Sequence, residues 1–236
     1  MRNNETALPP RCYSNIPFVI RPSSFFLPPL MKSSLVLLAV VLAAPLRGLA
    51  AEPVTAAARH LNEVFDGMHV QEHWIAGAIV DWRTGDPTGK AVVDEGKHTH
   101  CSQFAAAACD KLGIYLLHPP EHSSVLLANA QFDWLPNQGN ARGWTPVPDG
   151  AAAQDHANKG EVVVAIYKSA DPKKSGHVAI VRPGEKTAAE IAKAGPEVIQ
   201  AGGHNYEHAT LKQGFANHPD GFPKGLIRFY AHPQVK

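Results

Sequence analysis

Cysteine is scarce in this chain, with three residues in 236. Cys12 lies in a proline-dotted N-terminal stretch, which leaves Cys101 and Cys109. These two fall eight residues apart on one predicted helix, roughly 12 Å by helical rise, beyond the reach of a disulfide. A disulfide-stapled scaffold is therefore excluded. Basic runs are missing too: 22 Lys and Arg stand against 21 Asp and Glu, a formal net charge of +1. The electrostatic footprint of a nucleic-acid binder is absent. No internal repeat occurs, and low-complexity sequence is limited to short alanine runs. The apolar run Leu35–Leu46 is too short to cross a membrane comfortably.

Residues 1–30 contain Pro9, Pro10, Pro17, Pro22, Pro28 and Pro29 without a sustained hydrophobic period, and read as a non-native or disordered leader. Residues 31–50 have the form of a secretory signal peptide. Lys32 supplies the positive charge, Leu35–Leu46 the apolar region, and Gly48-Leu49-Ala50 the small-residue cleavage site. The expected mature chain, residues 51–236, is one domain, periplasmic or secreted, with no stable membrane span after cleavage. Residues 1–50 take five basic residues and one acidic residue with them, so 17 basic face 20 acidic in the remainder. All 13 histidines lie there. An exported protein with unpaired thiols needs a reason for keeping them, and a reactive nucleophile is a leading one.

Cys101, Ala105, Ala108 and Leu112 recur at helical spacing, so one face of the helix turns inward with Cys101 in its first turn. Thr99 or His100 is the expected N-cap and Gly113 the C-cap. At the N-terminus of a helix, the dipole and the unpaired amides favour thiolate, so the Cys101 pKa is expected below that of a free thiol. The opposing view, that Cys101 is a small buried hydrophobe, fits many helix-face cysteines. Upstream, Val54–Met68 reads as an amphipathic helix, with Val54, Ala58, Leu61, Val64, Phe65 and Met68 inward. Trp74–Trp82 fits a strand or an approach loop. His118–Asn158 reads as a long loop region whose Trp134 and Trp144 either line a cleft or pack an irregular lobe.

The second half reads as strands: Val162–Tyr167, Val178–Val181 opened by Gly176-His177, Glu197–Ala201 and Leu226–Tyr230, with a short helix over Thr187–Ala194. Helices followed by strands predict an α+β fold with an antiparallel sheet. If strands 177–181 and 197–201 pair antiparallel, His177 comes next to Gln200. Alternation then groups His177 with Ala179 and Val181, and Gln200 with Val198. Should that face meet the central helix, Cys101 points at His177. A thiol, a base and a polar group orienting the base form a generalised catalytic triad.

Several ordered blocks carry a family resemblance: His100-Cys101-Ser102-Gln103-Phe104, Lys111-Leu112-Gly113-Ile114, Gly160-Glu161-Val162-Val163, Gly176-His177-Val178-Ala179-Ile180-Val181 and Val198-Ile199-Gln200-Ala201. Together they resemble the NlpC/P60 and CHAP group of papain-like cysteine peptidases and amidases, most of which act on bacterial cell-wall peptides. The resemblance implies a papain-like fold with N-terminal helices packed on an antiparallel sheet. It also implies Cys101 as nucleophile, His177 as base, Gln200 as the orienting residue, peptidoglycan or a peptide as substrate, and no cofactor or metal. Where the family commonly has Asp before its cysteine, this chain has His100. Where a Gly is common two residues after it, Gln103 stands. The tyrosine that some relatives place near the oxyanion has no counterpart between residues 51 and 115. His100, Ser102 and Gln103 are the local oxyanion or substrate candidates, beside the Cys101 N–H. Trp134 and Trp144 are further substrate candidates, and Asn205 is the rival to Gln200.

Two readings from other classes stay open. A zinc hydrolase could draw on His98, His100, Asp94, and His204 with His208 on a helical face, although no HExxH motif occurs. A non-catalytic wall-binding module could use Trp134 and Trp144 as a carbohydrate platform.

Overall fold

The computed structural model describes residues 53–92 and 97–234. The leader and signal peptide read from residues 1–50, and Asp94, lie outside the described residues. The fold is α+β and is built around a six-stranded antiparallel sheet in the order β1-β6-β2-β3-β4-β5. Its strands are β1 Thr145–Val147, β2 Val162–Tyr167, β3 His177–Val181, β4 Glu197–Gln200, β5 Tyr206–Thr210 and β6 Arg228–His232. The helices are α1 Ala56–Asp66, α2 Cys101–Lys111, α3 Leu127–Trp134, α4 Gly150–Asn158, α5 Ala188–Ala194 and α6 Leu211–Gly214.

Helices cover both faces of the sheet. Residues of α1, α2 and α3 share one apolar cluster with Val162, Val164, Ile166, Val178, Ile180 and Ile199. Residues of α4 and α6 share the other with Val163, Ala165, Ala179, Val181 and Val198. Burial on two sides explains why β2 reads Val-Val-Val-Ala-Ile without polar alternation. Each fully buried Leu, Ile or Phe contributes about 1.5–3 kcal/mol of transfer free energy to such a core.

The central helix is α2. Cys101 through Cys109 are all buried, so the expected single inward face becomes burial all round. Ala105–Ala108 have side chains small enough for backbones to approach on every side. The helix ends as its sequence predicts. Gly113 takes φ 70°, its N–H donates to Asp110 O (3.0 Å), and the Ile114 N–H donates to Cys109 O (2.9 Å), the Schellman arrangement. Helix α1 starts at Thr55, whose hydroxyl accepts from the Ala58 N–H (3.2 Å), and turns Ala58, Leu61 and Phe65 inward.

The strands read from sequence recur within two residues of their expected ends. The region 118–158 differs most, because it holds α3, β1 and α4 rather than a continuous loop. Helix α4 has its own cap, with Asp149 accepting from the Ala152 N–H (2.9 Å). Segment 74–82 forms turns, with a single bridge between Val80 and Pro87.

Arg182, at the end of β3, is 2% exposed, and its guanidinium pairs with Asp66 of α1 at 2.6 Å. Removing the carboxylate leaves a buried cation with only the Glu207 carbonyl, at 3.4 Å, for company. Asp66→Ala is expected to lower stability by about 1–3 kcal/mol, read from urea denaturation, and Arg182→Met in the same background to restore part of it. An unchanged midpoint would mean that solvent around the half-exposed Asp66 has already screened the pair.

Candidate functional site

Cys101 opens α2, and His100 before it is the N-cap residue, with φ −121° and ψ 24° and no side-chain capping bond. The His100 ring turns aside instead. Its Nδ1 lies 2.7 Å from Gln103 Oε1, and Gln103 Nε2 donates to Ser124 Oγ at 3.2 Å. His100 Nε2 is buried without a hydrogen-bond partner, and burial lowers the ring's pKa. Gln131, fully buried in α3, donates to the carbonyls of Ser102 (3.1 Å) and Leu117 (2.9 Å) and ties the first turn of α2 to the next helix.

The Cys101 thiol lies against the backbone of Val178, the residue after His177. The amides of Val178, Ser102 and Cys101 and the Ser102 hydroxyl favour thiolate. Burial outweighs them, and the pKa is raised. The lowered thiol expected from the helix N-terminus is therefore not realised, because the dipole acts in a site that excludes water. Cys109 is also pushed up, by burial and by the charge of Asp110, with no hydrogen-bond donor to oppose them. Both thiols are free.

His177 is 6% exposed, and its Nε2 lies 2.9 Å from Gln200 Oε1. Gln200 Nε2 donates to Gly214 O (3.2 Å), which fixes the amide with its oxygen toward the ring. The imidazole must then carry its proton on Nε2, leaving Nδ1 as the acceptor. Gly214 has a steric reason to be glycine, since a Cβ there would come within 2.4 Å of Gln200 Oε1. Antiparallel β3–β4 pairing is as expected, with Ile180 opposite Ile199 and Val181 opposite Val198. A shift of register between Val198 and Gln200 lets β5 follow.

The face assignment is reversed. Val178 and Ile180 pack toward α2, while Ala179 and Val181 pack toward α4. His177 and Gln200 share the parity of Ala179 and Val198, so they meet each other. The thiol approaches β3 through the main chain, and no hydrogen bond joins Sγ to the imidazole among the described residues.

The remaining candidates separate. Ser102 stays beside the thiol, and His100 and Gln103 are occupied with one another. Asn205 is a structural tie, donating to the carbonyls of Val70 (2.6 Å) and His73 (2.9 Å) and accepting from the Gly202 N–H (2.9 Å). Trp134 and Trp144 are core residues, 7% and 0% exposed, and Trp144 Nε1 donates to Tyr115 O (2.9 Å). Their packing, not a sugar platform, accounts for them. His208 lies on β5 rather than on a helix and pairs with Glu197, and His204 lies in the preceding turn. No group of three or more His, Cys, Asp or Glu side chains converges on a common point among the described residues.

Three features escaped sequence reasoning. Asn129 Oδ1 accepts from the N–H groups of Gly176 (2.8 Å) and Ser169 (3.2 Å), while its Nδ2 donates to Lys174 O (2.9 Å). It thereby holds the hairpin that delivers His177. Phe215 stands edge-on to His177 with ring centres 4.7 Å apart, and His218 stacks on it at 5.6 Å. Asn129 falls in the stretch read as loop. His218 sits in a Pro-Asp-Gly turn whose composition signals only a change of direction. No protein-family model matches the chain, and no curated protein matches it.

Burial holds His177 and His218 down to about 4 in the folded protein, against about 6.5 in an unfolded chain. The unfolded state binds more protons between these values. The stability that the two neutral rings contribute is thus complete above pH 6.5 and is lost as pH falls toward 4. Melting temperature is expected to drop between pH 7 and pH 4.5, and the drop to shrink in His177→Phe. A flat or rising melting temperature on acidification would contradict the buried neutral pair.

Proposed function

We propose that this chain is an exported thiol hydrolase of the papain-like NlpC/P60–CHAP type, cleaving an amide bond in peptidoglycan stem peptides. The observation that carries this reading is the buried 2.9 Å bond between His177 Nε2 and Gln200 Oε1, formed one residue from the backbone that Cys101 touches. It fixes the tautomer with a lone pair on Nδ1, as a general base requires. Supporting it are the position of Cys101 at the start of a helix, where amides surround the sulfur, and the order of the sequence blocks that resemble the family.

In this reading the resting pair is a neutral thiol and a neutral imidazole. As the substrate carbonyl arrives, Cys101 passes its proton to His177 Nδ1 and Sγ bonds to the carbonyl carbon. The imidazolium returns that proton to the leaving amine as the C–N bond breaks, giving an acyl-enzyme. Water, deprotonated by the same ring, then releases the acid and regenerates the thiol. The Cys101 N–H is the main-chain candidate for the oxyanion. Catalytic hydrogen bonds commonly tighten only when substrate binds, which is consistent with the absent Sγ–imidazole bond.

Purified peptidoglycan digested by the protein and resolved by mass spectrometry tests this reading. Cys101→Ala and His177→Ala should release no fragments. Gln200→Ala, folded as judged by thermal melting, should retain activity reduced by roughly 10–10³-fold. Loss of cleavage with chelator but not with a thiol alkylator would favour metal-dependent hydrolysis. Retention of wall material without fragments would favour a binding module.

A further inference from the structure

The imidazole of His177 is held from more sides than its bond to Gln200 accounts for. The segment after α6 sends two rings against it: Phe215 edge-on, with centres 4.7 Å apart and planes at 79°, and His218 nearly parallel, at 5.6 Å and 25°. His218 is itself fixed. Its N–H donates to Phe215 O (2.8 Å), its carbonyl accepts from the Gly221 N–H (2.8 Å), and Tyr167 of β2 lies 5.0 Å from its ring. Among the described residues, His218 is the one titratable side chain whose ring stacks on that of His177, and it is only half-buried where His177 is almost fully buried.

We propose that His218 is a positioning residue for His177, setting the plane of its ring by stacking and opposing, by mutual repulsion, the protonation of both rings at once. Two imidazoles stacked in a water-poor site cannot both carry charge at modest cost, so protonation of one opposes protonation of the other. The other titratable groups around the pair are few. Tyr167 comes from β2 and faces His218; Cys101 opens α2, whose thiol meets the backbone of Val178 beside His177; and His204 pairs its ring with Tyr206 instead. In its own segment, Asp220 is ion-paired with Lys224 at 3.1 Å. Gln200, on β4, is neutral. No carboxylate bonds either ring among the described residues. Burial and the neighbouring His177 both hold the His218 pKa down, in keeping with the geometry.

The inference deepens the hydrolase reading but can be tested apart from it. The C2 protons of His177 and His218 are followed by NMR through a pH titration, and pulse alkylation of Cys101 is measured over the same range. His218→Phe keeps a ring against His177 and removes its charge. The His177 titration should then move up by about one pH unit, with the acid limb of Cys101 alkylation following it. His218→Asn, which loses the ring, should in addition lower kcat about tenfold with little change in KM, as expected for a misplaced base. Should His218→Phe fail to fold, His218→Asn carries the titration alone. Unchanged His177 titration in whichever variant folds would overturn the proposal, whatever the enzyme does. A shifted titration in a protein that releases no peptidoglycan fragments would leave the imidazole pair standing and remove the hydrolase.

Discussion

The close fit of α2 against β3 is the constraint on which the rest of the structure depends. Four consecutive alanines, Ala105–Ala108, keep the helix thin, and Val178 and Ile180 meet it from the sheet. A bulkier helix would stand farther off, and Cys101 would lose its contact with the Val178 backbone. The Schellman ending at Gly113 stops the helix cleanly, so its N-terminus rather than a frayed middle arrives at the start of β3. Gln131 then ties that first turn to α3, and the same helix uses Asn129 to hold the hairpin leading to His177. Two side chains of α3, two residues apart, thus fix both Cys101 and His177.

Burial on both faces of the sheet is the second-order consequence. With α1–α3 on one side and α4 with α6 on the other, alternation along β3 assigns neighbouring residues to different layers. His177 belongs by parity with Ala179, yet its neighbour Val178 belongs to the α2 layer. A thiol and an imidazole carried by opposite layers can adjoin only at a strand end, where the sheet stops separating them. His177 occupies that end, as the first residue of β3.

Much of this was legible in the sequence. The β-branched run Val162–Ile166, the Gly176-His177 opening of β3, the short helix α5 and the antiparallel meeting of His177 with Gln200 follow from period, turn chemistry and pairing geometry. What was not legible has physical causes. A helix made of alanine shows no polar face, so burial all round looks like one-sided burial. A sheet covered twice gives no clue to which face meets which helix, and the face of His177 was accordingly assigned to the wrong layer. Helices α3 and α4 hide among proline, glycine and asparagine because buried amides such as Gln131, Gln154 and Asn158 replace the apolar residues that a periodic reading relies on. Trp134 and Trp144 drew attention as large aromatics in a loop-like stretch, where tertiary packing had already used them.

The choice of glutamine at position 200 is consistent with the same burial. An aspartate there would favour an imidazolium at His177, but its own charge would have to be carried in a site where His177 and Gln200 are 6% and 2% exposed. The desolvation of such a carboxylate offsets much of the attraction it would supply. A neutral amide orients the ring at lower cost, since it asks for one acceptor bond and one donor bond, and Gly214 O completes the second. Its consequence is that no charged group among the described residues of the resting site offsets burial, which outweighs the amides around the Cys101 sulfur. Burial raises the thiol and lowers the imidazole, so proton transfer between them is uphill until a third dipole arrives. In the proposed reaction that dipole is the polarised substrate carbonyl, and thiolate forms only where there is a carbon to attack. A site arranged this way holds a weakly ionised cysteine in reserve while keeping the orientation of His177 fixed.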